Sequence, residues 1–294
     1  MAELALPYRG RFAPSPTGPL HMGSLVAALA SFLDARNHQG TWLVRIDDID
    51  PPREQAGAAQ HILDSLQQHG LRWDETVLWQ STRTNAYQLA LAELETTGLL
   101  FHCDCTRAAL GPNGSCNGRC APRQSSLGIP TALRIMVPSD TRIEFVDGIQ
   151  GSCSYALGNT IHDFVVQRKD KLPAYQLAAA VDDTHQNITD VVRGADLLDS
   201  TPRQRFLMDK LGRPSPRYAH IPVLLGSDGQ KLSKQNQAPA LAGDEAPTNL
   251  RQALVSLNQP PPPQTAATVP AIVEFAIRHW SRDRILMTGG AVPK

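Results

Sequence analysis

Three short stretches of the chain combine side chains suited to handling phosphate, carboxylate and ammonium groups. The first is Arg11-Phe12-Ala13-Pro14-Ser15-Pro16-Thr17-Gly18-Pro19-Leu20-His21-Met22-Gly23-Ser24. A strand would deliver Arg11 to a sheet edge, and a Pro/Gly loop would open into a helix near His21. The free N–H groups and dipole of a helix start attract phosphate. Gly23 lets a ligand approach the backbone, and His21 can donate to a phosphoryl oxygen. A plain strand–loop–helix joint with a capping Ser would read the same way locally. The second stretch, Arg45-Ile46-Asp47-Asp48-Ile49-Asp50-Pro51-Pro52-Arg53-Glu54, sets three carboxylates just past a strand. They could hold Mg2+, grip an ammonium or cap the next helix; capping explains Asp50 but not Asp47. The third, Gly229-Gln230-Lys231-Leu232-Ser233-Lys234, follows a turn. Two lysines three apart could clamp a polyphosphate and neutralise charge on a departing pyrophosphate, although such loops are commonly just solvated.

A fourth group is sulfur. Cys103-Asp104-Cys105 and Cys116-Asn117-Gly118-Arg119-Cys120 place four thiols in a short span. Four sulfurs suit tetrahedral zinc, and the alternative is two reduced pairs without metal. Cys153 stands apart and reads as a buried apolar residue. Met1 to Gly10 lacks the pattern of a signal peptide, and no apolar run approaches the roughly 20 residues of a membrane span. The expected compartment is therefore the cytoplasm, with no membrane association, where a cysteine cluster favours metal over disulfides.

The elements that must position these residues follow from hydrophobic periodicity. Tyr8–Ala13 reads as a strand, Met22 to Leu33 as a helix, Thr41–Ile46 as a buried strand, and Glu54–His69 and Thr84–Thr97 as helices. Alternating strand and helix implies right-handed crossovers, a parallel sheet, and a site at the carboxyl ends of its strands near a switch in strand order. Beyond a Cys-, Gly- and Pro-rich insertion, Thr131–Val137, Arg142–Val146, Phe164–Arg168, Ile188–Arg193 and Ile221–Leu225 read as strands. Ala174–Val181 and Ala195–Leu211 read as helices, the latter with an awkward Thr201–Pro202. Thr248–Leu257 and Ala271–Trp280 could be short helices around the Pro260–Pro263 run. With a net charge of zero, the composition gives no global argument for a nucleic-acid partner. Arg203, Arg205, Lys210, Arg213 and Arg217 could form a local basic patch or a solvated helix face.

The first string resembles the signature of the glutamyl branch of the class I aminoacyl-tRNA synthetases. His21-Met22-Gly23-Ser24 stands where that class has its first ATP motif, departing from the usual form at Met22 and Ser24. Lys231 to Lys234 is similar to its second ATP motif, with Gln235 where Ser is usual. The likeness runs from Tyr8 to Gln235. It implies an α/β fold with a Rossmann-like parallel sheet, a zinc-bearing insertion and a helical region of the kind that contacts a tRNA stem. The implied division is 1–100 for the first half of the catalytic domain, 101–128 for the zinc insertion, 129–236 for the rest of the acceptor-region insertion and the catalytic core with the second ATP motif, and 237–294 for a short extension without an anticodon-binding domain.

The resemblance also implies roles. His21 and Lys234 would be catalytic. His21, Gly23, Ser24, Lys231, Ser233 and Lys234 would bind ATP with Mg2+. Arg11, Phe12, Ala13, Pro14, Ser15, Asp47, Tyr175 and Arg193 would bind L-glutamate, with Asp47 where Glu is common. Locally, Arg193 could instead pair with Asp190 or Asp196. One structural Zn2+ would sit on Cys103, Cys105, Cys116 and Cys120, near Arg107, Arg119 and Arg123. The proline-rich run after Lys234 leaves no room for a large helical domain. That points to the family's shortened members, which join glutamate to the queuosine base of tRNA(Asp), and the chain itself is expected to be a monomer. The alternatives are a reduced enzyme charging a tRNA 3′ end and a non-catalytic, zinc-stabilised RNA-binding relic.

Overall fold

The computed structural model describes residues 7–111, 113–121, 129–224, 241 and 243–287. β1 (Arg9–Phe12), β2 (Thr41–Ile46) and β3 (Leu78–Trp79) form a parallel ladder. β9 (Asp190–Gly194), β10 (Arg217–Ile221) and β6 (Ile143–Asp147) form a second, and β7 (Gly151–Tyr155) joins β6 antiparallel. The ladders adjoin at β1 and β9, where Thr189 N–H donates to Arg9 O at 3.0 Å. Strand order reverses there, which is where an α/β sheet opens a crevice beyond its carboxyl ends.

Helix α1 (Met22–Asn37) lies on this junction, with Leu25, Val26, Leu29, Phe32 and Leu33 buried. α7 (Ala246–Ser256) and α8 (Val269–His279) cover its other side, so residues read in the sequence as a C-terminal extension pack into the main core. Fully buried Asp34 ties the layers together. It accepts from Tyr8 OH, from Trp280 Nε1 at 2.9 Å and from Arg282 Nε at 2.7 Å. A separate antiparallel sheet of β4 (Leu100–Cys103), β5 (Ala132–Met136) and β8 (Asp163–Gln167) carries the cysteine loop. Its core is shared with α3 (Thr84–Glu95), α4 (Leu157–Thr160), α5 (Tyr175–His185) and α6 (Thr201–Lys210).

Several boundaries differ from expectation for identifiable reasons. α2 (Ala58–Gln68) starts later than expected, because Pro51–Arg53 forms a tight turn and Gly57 takes a left-handed φ of 77°. Ala195–Leu211 splits in two: Ala195–Ser200 is a 3-10 turn and α6 begins at Thr201, with Pro202 in the first turn where its missing N–H costs nothing. β10 runs from Arg217 to Ile221, earlier than the expected Ile221–Leu225. α5 continues past Val181 to His185. β7, built from Gly151-Ser152-Cys153-Ser154-Tyr155, has little intrinsic strand preference and is held by its pairing with β6.

Candidate functional site

A cavity of about 290 Å³ opens at the strand-order reversal. The carboxyl end of β1 and its loop supply Arg11, Phe12, Ala13, Pro14, Ser15 and Thr17, and the start of α1 supplies His21, Gly23 and Ser24. The end of β9 adds Val192, Arg193 and Gly194, followed by Asp196 and Leu197; α5 contributes Tyr175, and Ile221 to Leu224 close the wall. Residues far apart in the chain therefore meet on one crevice. His21 itself is the N-cap of α1, rather than a serine: its Nδ1 accepts Ser24 N–H at 3.4 Å, and its Nε2 lies 3.0 Å from Ser24 Oγ. The ring is thus pinned at the end of the helix where free N–H groups gather.

The two arginines of this cavity stand in opposite electrostatic settings. Arg11 donates through Nε and Nη2 to Asp183 at 3.1 and 3.3 Å. Asp183 also takes Arg45 Nη1 at 2.7 Å, and Arg45 Nε donates to Asp47 at 2.7 Å. All four side chains are buried. Burial works against an ionised Asp183, but Arg11 and Arg45 outweigh it and hold it at about 2. Burial dominates at Asp47 and raises it to about 6 despite Arg45.

Arg193 is only 5 % exposed and makes no ion pair among the described residues. Its partners are all neutral: His220 Nε2 at 3.0 Å, Gln204 Oε1 at 2.9 Å, Thr201 Oγ1 at 2.9 Å and Leu197 O at 3.3 Å. Its guanidinium also lies 5.3 Å from the centre of the Tyr218 ring. Asp190, one expected partner, is taken by Arg217 at 2.8 and 2.9 Å. The result is a buried cation that, among the described residues, has hydrogen bonds but no ion-pair partner, on the wall of a cavity that Asp196 also lines.

Not every expected residue reaches that wall. Asp47 is buried behind it on Arg45. Asp48 binds Ser81 N and Oγ at 2.9 and 2.6 Å, and Asp50 binds Arg168 at 2.8 Å and Arg53. Asp50 makes no side-chain cap. The three carboxylates therefore diverge rather than converging on one cation. Lys231, Ser233 and Lys234 lie outside the described residues, as does Arg123. The basic segment is absorbed locally: Arg217 on Asp190, Arg213 on Glu93, Lys210 on Asp209, Arg205 over the Phe145 ring and Arg203 on Asp199 O.

The cysteine lobe is a second candidate centre. Among the described residues, Cys103, Cys105 and Cys120 form a possible metal group, with sulfurs all within 4.8 Å of one another. Tetrahedral zinc, with Zn–S near 2.3 Å, needs sulfurs about 3.8 Å apart, and Cys105 to Cys120 is 3.5 Å. The set fits such an ion. Cys116 is buried in the same cluster but outside the 4.8 Å group. Asp163 of β8 anchors the loop by accepting from Ser115 Oγ at 2.7 Å, from Cys116 N and Gly118 N at 3.1 Å, and from Arg134. Cys153 is buried on β7 away from this group.

Sequence reasoning missed Asp183, His220, Asp147, Thr201 and Gln204. A detectable signal was the pair Asp182-Asp183 within an otherwise apolar helical run, because adjacent buried acids demand cationic partners.

Comparison with known proteins extends the likeness over nearly the whole chain. Residues 8–255 match the family described as tRNA synthetases class I (E and Q), catalytic domain. A glutamyl-Q tRNA(Asp) synthetase of Xanthomonas campestris pv. campestris (strain 8004) is 48 % identical over 282 residues, covering 96 % of this chain and 94 % of that protein. One from Neisseria meningitidis serogroup C is 47 % identical over 288 residues, covering 95 % and 97 %. Among solved structures, a glutamate tRNA ligase from Elizabethkingia meningosepticum CCUG26117, in complex with its amino acid, superposes with a TM-score of 0.79 at 25 % identity. That match covers 96 % of this chain and 66 % of the ligase, so the chain spans about two thirds of the ligase's length.

Proposed function

The chain belongs to the catalytic-domain family of the class I tRNA synthetases for glutamate and glutamine, and on that premise we propose that it activates glutamate with ATP and transfers it to the queuosine base of tRNA(Asp). The relatives that match it almost end to end carry that activity in their name. The observation that carries the choice of glutamate is Arg193, a buried guanidinium on the cavity wall whose partners among the described residues are all neutral. A buried charge without a counter-charge is costly, and a substrate carboxylate supplies one through a charge-assisted pair.

In the first step the glutamate α-carboxylate attacks the α-phosphorus of ATP, forming glutamyl-adenylate and releasing pyrophosphate. A hydroxyl of the RNA then attacks the activated carbonyl and AMP leaves. His21 and Ser24, with Gly23 between them, bind phosphate at the start of α1. Lys231, Ser233 and Lys234 bind the polyphosphate, and Lys234 acts on charge developing at pyrophosphate. Mg2+ accompanies ATP. Arg193 and Tyr175 receive glutamate against the Arg11–Ser15 wall, while Asp47 stays on Arg45 behind that wall and does not touch the ligand. No covalent enzyme intermediate is required, and catalysis is positioning and electrostatics. Cys103, Cys105 and Cys120, with Cys116 beside them, would hold one structural zinc per chain. Metal analysis should return about one zinc per chain, and Cys105→Ser should lower that content and thermal stability without direct loss of exchange chemistry.

The acceptor is tested with two preparations of tRNA(Asp), one containing queuosine and one lacking it. Glutamylation of the first alone, surviving oxidation of the 3′-terminal diol with the queuosine diol left intact, is the expected result. Transfer to unmodified tRNA(Glu), lost on removal of its 3′ adenosine, would overturn it in favour of a reduced charging enzyme.

A further inference from the structure

Behind Arg193 stands a buried relay of Asp147, His220 and the guanidinium. We propose that His220 is a positioning residue: its unprotonated Nε2 holds Arg193 toward the substrate carboxylate without cancelling the arginine's charge, and Asp147 fixes the ring in that tautomer. The inference rests on the reading that Arg193 binds glutamate.

The chain of hydrogen bonds leaves one consistent arrangement. Asp147 Oδ1 accepts three backbone N–H groups, from Ile149 at 3.0 Å, Gln150 at 2.9 Å and His220 at 3.0 Å. Its Oδ2 lies 2.5 Å from His220 Nδ1. An ionised carboxylate only accepts, so the imidazole proton sits on Nδ1. The opposite nitrogen then carries a lone pair, facing Arg193 Nε at 3.0 Å and Thr201 Oγ1 at 3.2 Å. A guanidinium only donates, so a hydrogen on Nε2 would set donor against donor.

The surroundings keep the ring neutral. Asp147 faces it from β6, Arg193 from β9 and Thr201 from α6, while Tyr218 stacks on it from its own strand with centroids 6.0 Å apart. Arg11 adds a more distant positive charge. Burial, assisted by Arg193, pushes His220 below its ordinary range even against Asp147. A carboxylate at this position would also accept from Arg193 but would neutralise it, as Asp183 does for Arg11. Imidazole supplies the acceptor and leaves the charge for the ligand.

The test measures KM for glutamate and for ATP by pyrophosphate exchange in wild type, His220→Asn, His220→Gln and Arg193→Ala. Asn retains the donor toward Asp147 but removes the acceptor at Nε2; Gln carries an acceptor oxygen near Nε2. A hydrogen bond to a charged group predicts a glutamate KM raised roughly 10-fold in His220→Asn, with ATP KM unchanged, and returned to within about 3-fold of wild type in His220→Gln. Equal impairment in both variants, or a wild-type KM in His220→Asn, overturns the relay. Arg193→Ala separates the two claims. A glutamate KM unchanged there sinks the binding role of Arg193 itself, whereas a large rise there beside an unaffected His220→Asn sinks only the relay. Nitrogen-15 NMR of the histidine rings, with His220→Gln or Arg193→Ala identifying the signal, reads the wild-type protein without relying on variant activity. A neutral ring protonated on Nδ1 at pH 7 is expected; a proton on Nε2 contradicts the proposal.

Discussion

The two sides of the strand-order reversal handle buried arginine in opposite ways. On the β1–β2 side, Arg11 and Arg45 are locked to Asp183 and Asp47 in a closed network of ion pairs. On the β9–β10 side, Arg193 engages four of its five N–H donors on neutral groups and, among the described residues, meets no acid. Both occupy the same crevice, and both are the residue type that would grip a carboxylate. The difference assigns them different work. A paired arginine is scaffold, since its charge is already spent on a neighbour and breaking the pair strands a buried ion. A neutral-partnered arginine is poised for a ligand, and its site is balanced only when an anion arrives.

The comparison is broken most forcefully at Asp183. Asp183→Asn would leave Arg11 and Arg45 without their shared counter-charge, and should cost about 3–5 kcal/mol of stability by denaturant unfolding. Arg193→Ala should cost less stability but weaken glutamate, with a KM rise on the order of 100-fold in exchange assays and little change for ATP. If Arg193→Ala is the more destabilising and Asp183→Asn the more damaging to glutamate affinity, the assignment of scaffold and ligand site is reversed.

Asp47 gives a smaller, pH-dependent effect. Its folded-state pKa of about 6 lies above the roughly 3.9 of an unfolded aspartate. The folded protein therefore holds that proton longer, so this contribution to stability is full below about pH 4 and is lost between about pH 4 and 6. Comparing unfolding free energies of wild type and Asp47→Asn across that range should show wild type losing ground as pH rises. A difference that is flat, or grows with pH, would mean Asp47 is ionised at low pH in the fold. The exposed pair Arg213–Glu93 is the control: Arg213→Ala should change stability by less than about 1 kcal/mol.

The phosphate-handling loop was legible because rigid residues encode it locally. Pro14, Pro16 and Gly18 break the strand, and the apolar spacing from Met22 to Leu33 starts the helix, so His21 had to sit at its N-terminus. Buried charge was less legible. Asp182 and Asp183 are poor helix formers near a C-terminal end, where the dipole disfavours acids. The helix therefore read as ending at Val181, and it is Arg11, Arg45, Arg83 and Gln80 that allow it to continue. His220 was hidden for a topological reason. Its partners Asp147, Arg193 and Thr201 are brought together only by β10 lying between β6 and β9, and a strand read four residues late put His220 outside it. The cysteine spacing announced a metal-sized cluster, but not that Cys116, though packed in it, falls outside the tight group of the other three.

The claim on which the rest depends is that this crevice activates glutamate. Its direct measurement is ATP–pyrophosphate exchange by the purified chain with no tRNA present, with glutamate and aspartate compared as substrates. Exchange with glutamate is expected, and at least roughly 100-fold lower efficiency with aspartate, whose carboxylate falls one methylene short and leaves the buried arginine unpaired. Exchange that appears only when tRNA is added, or that runs equally well with aspartate, would contradict the account.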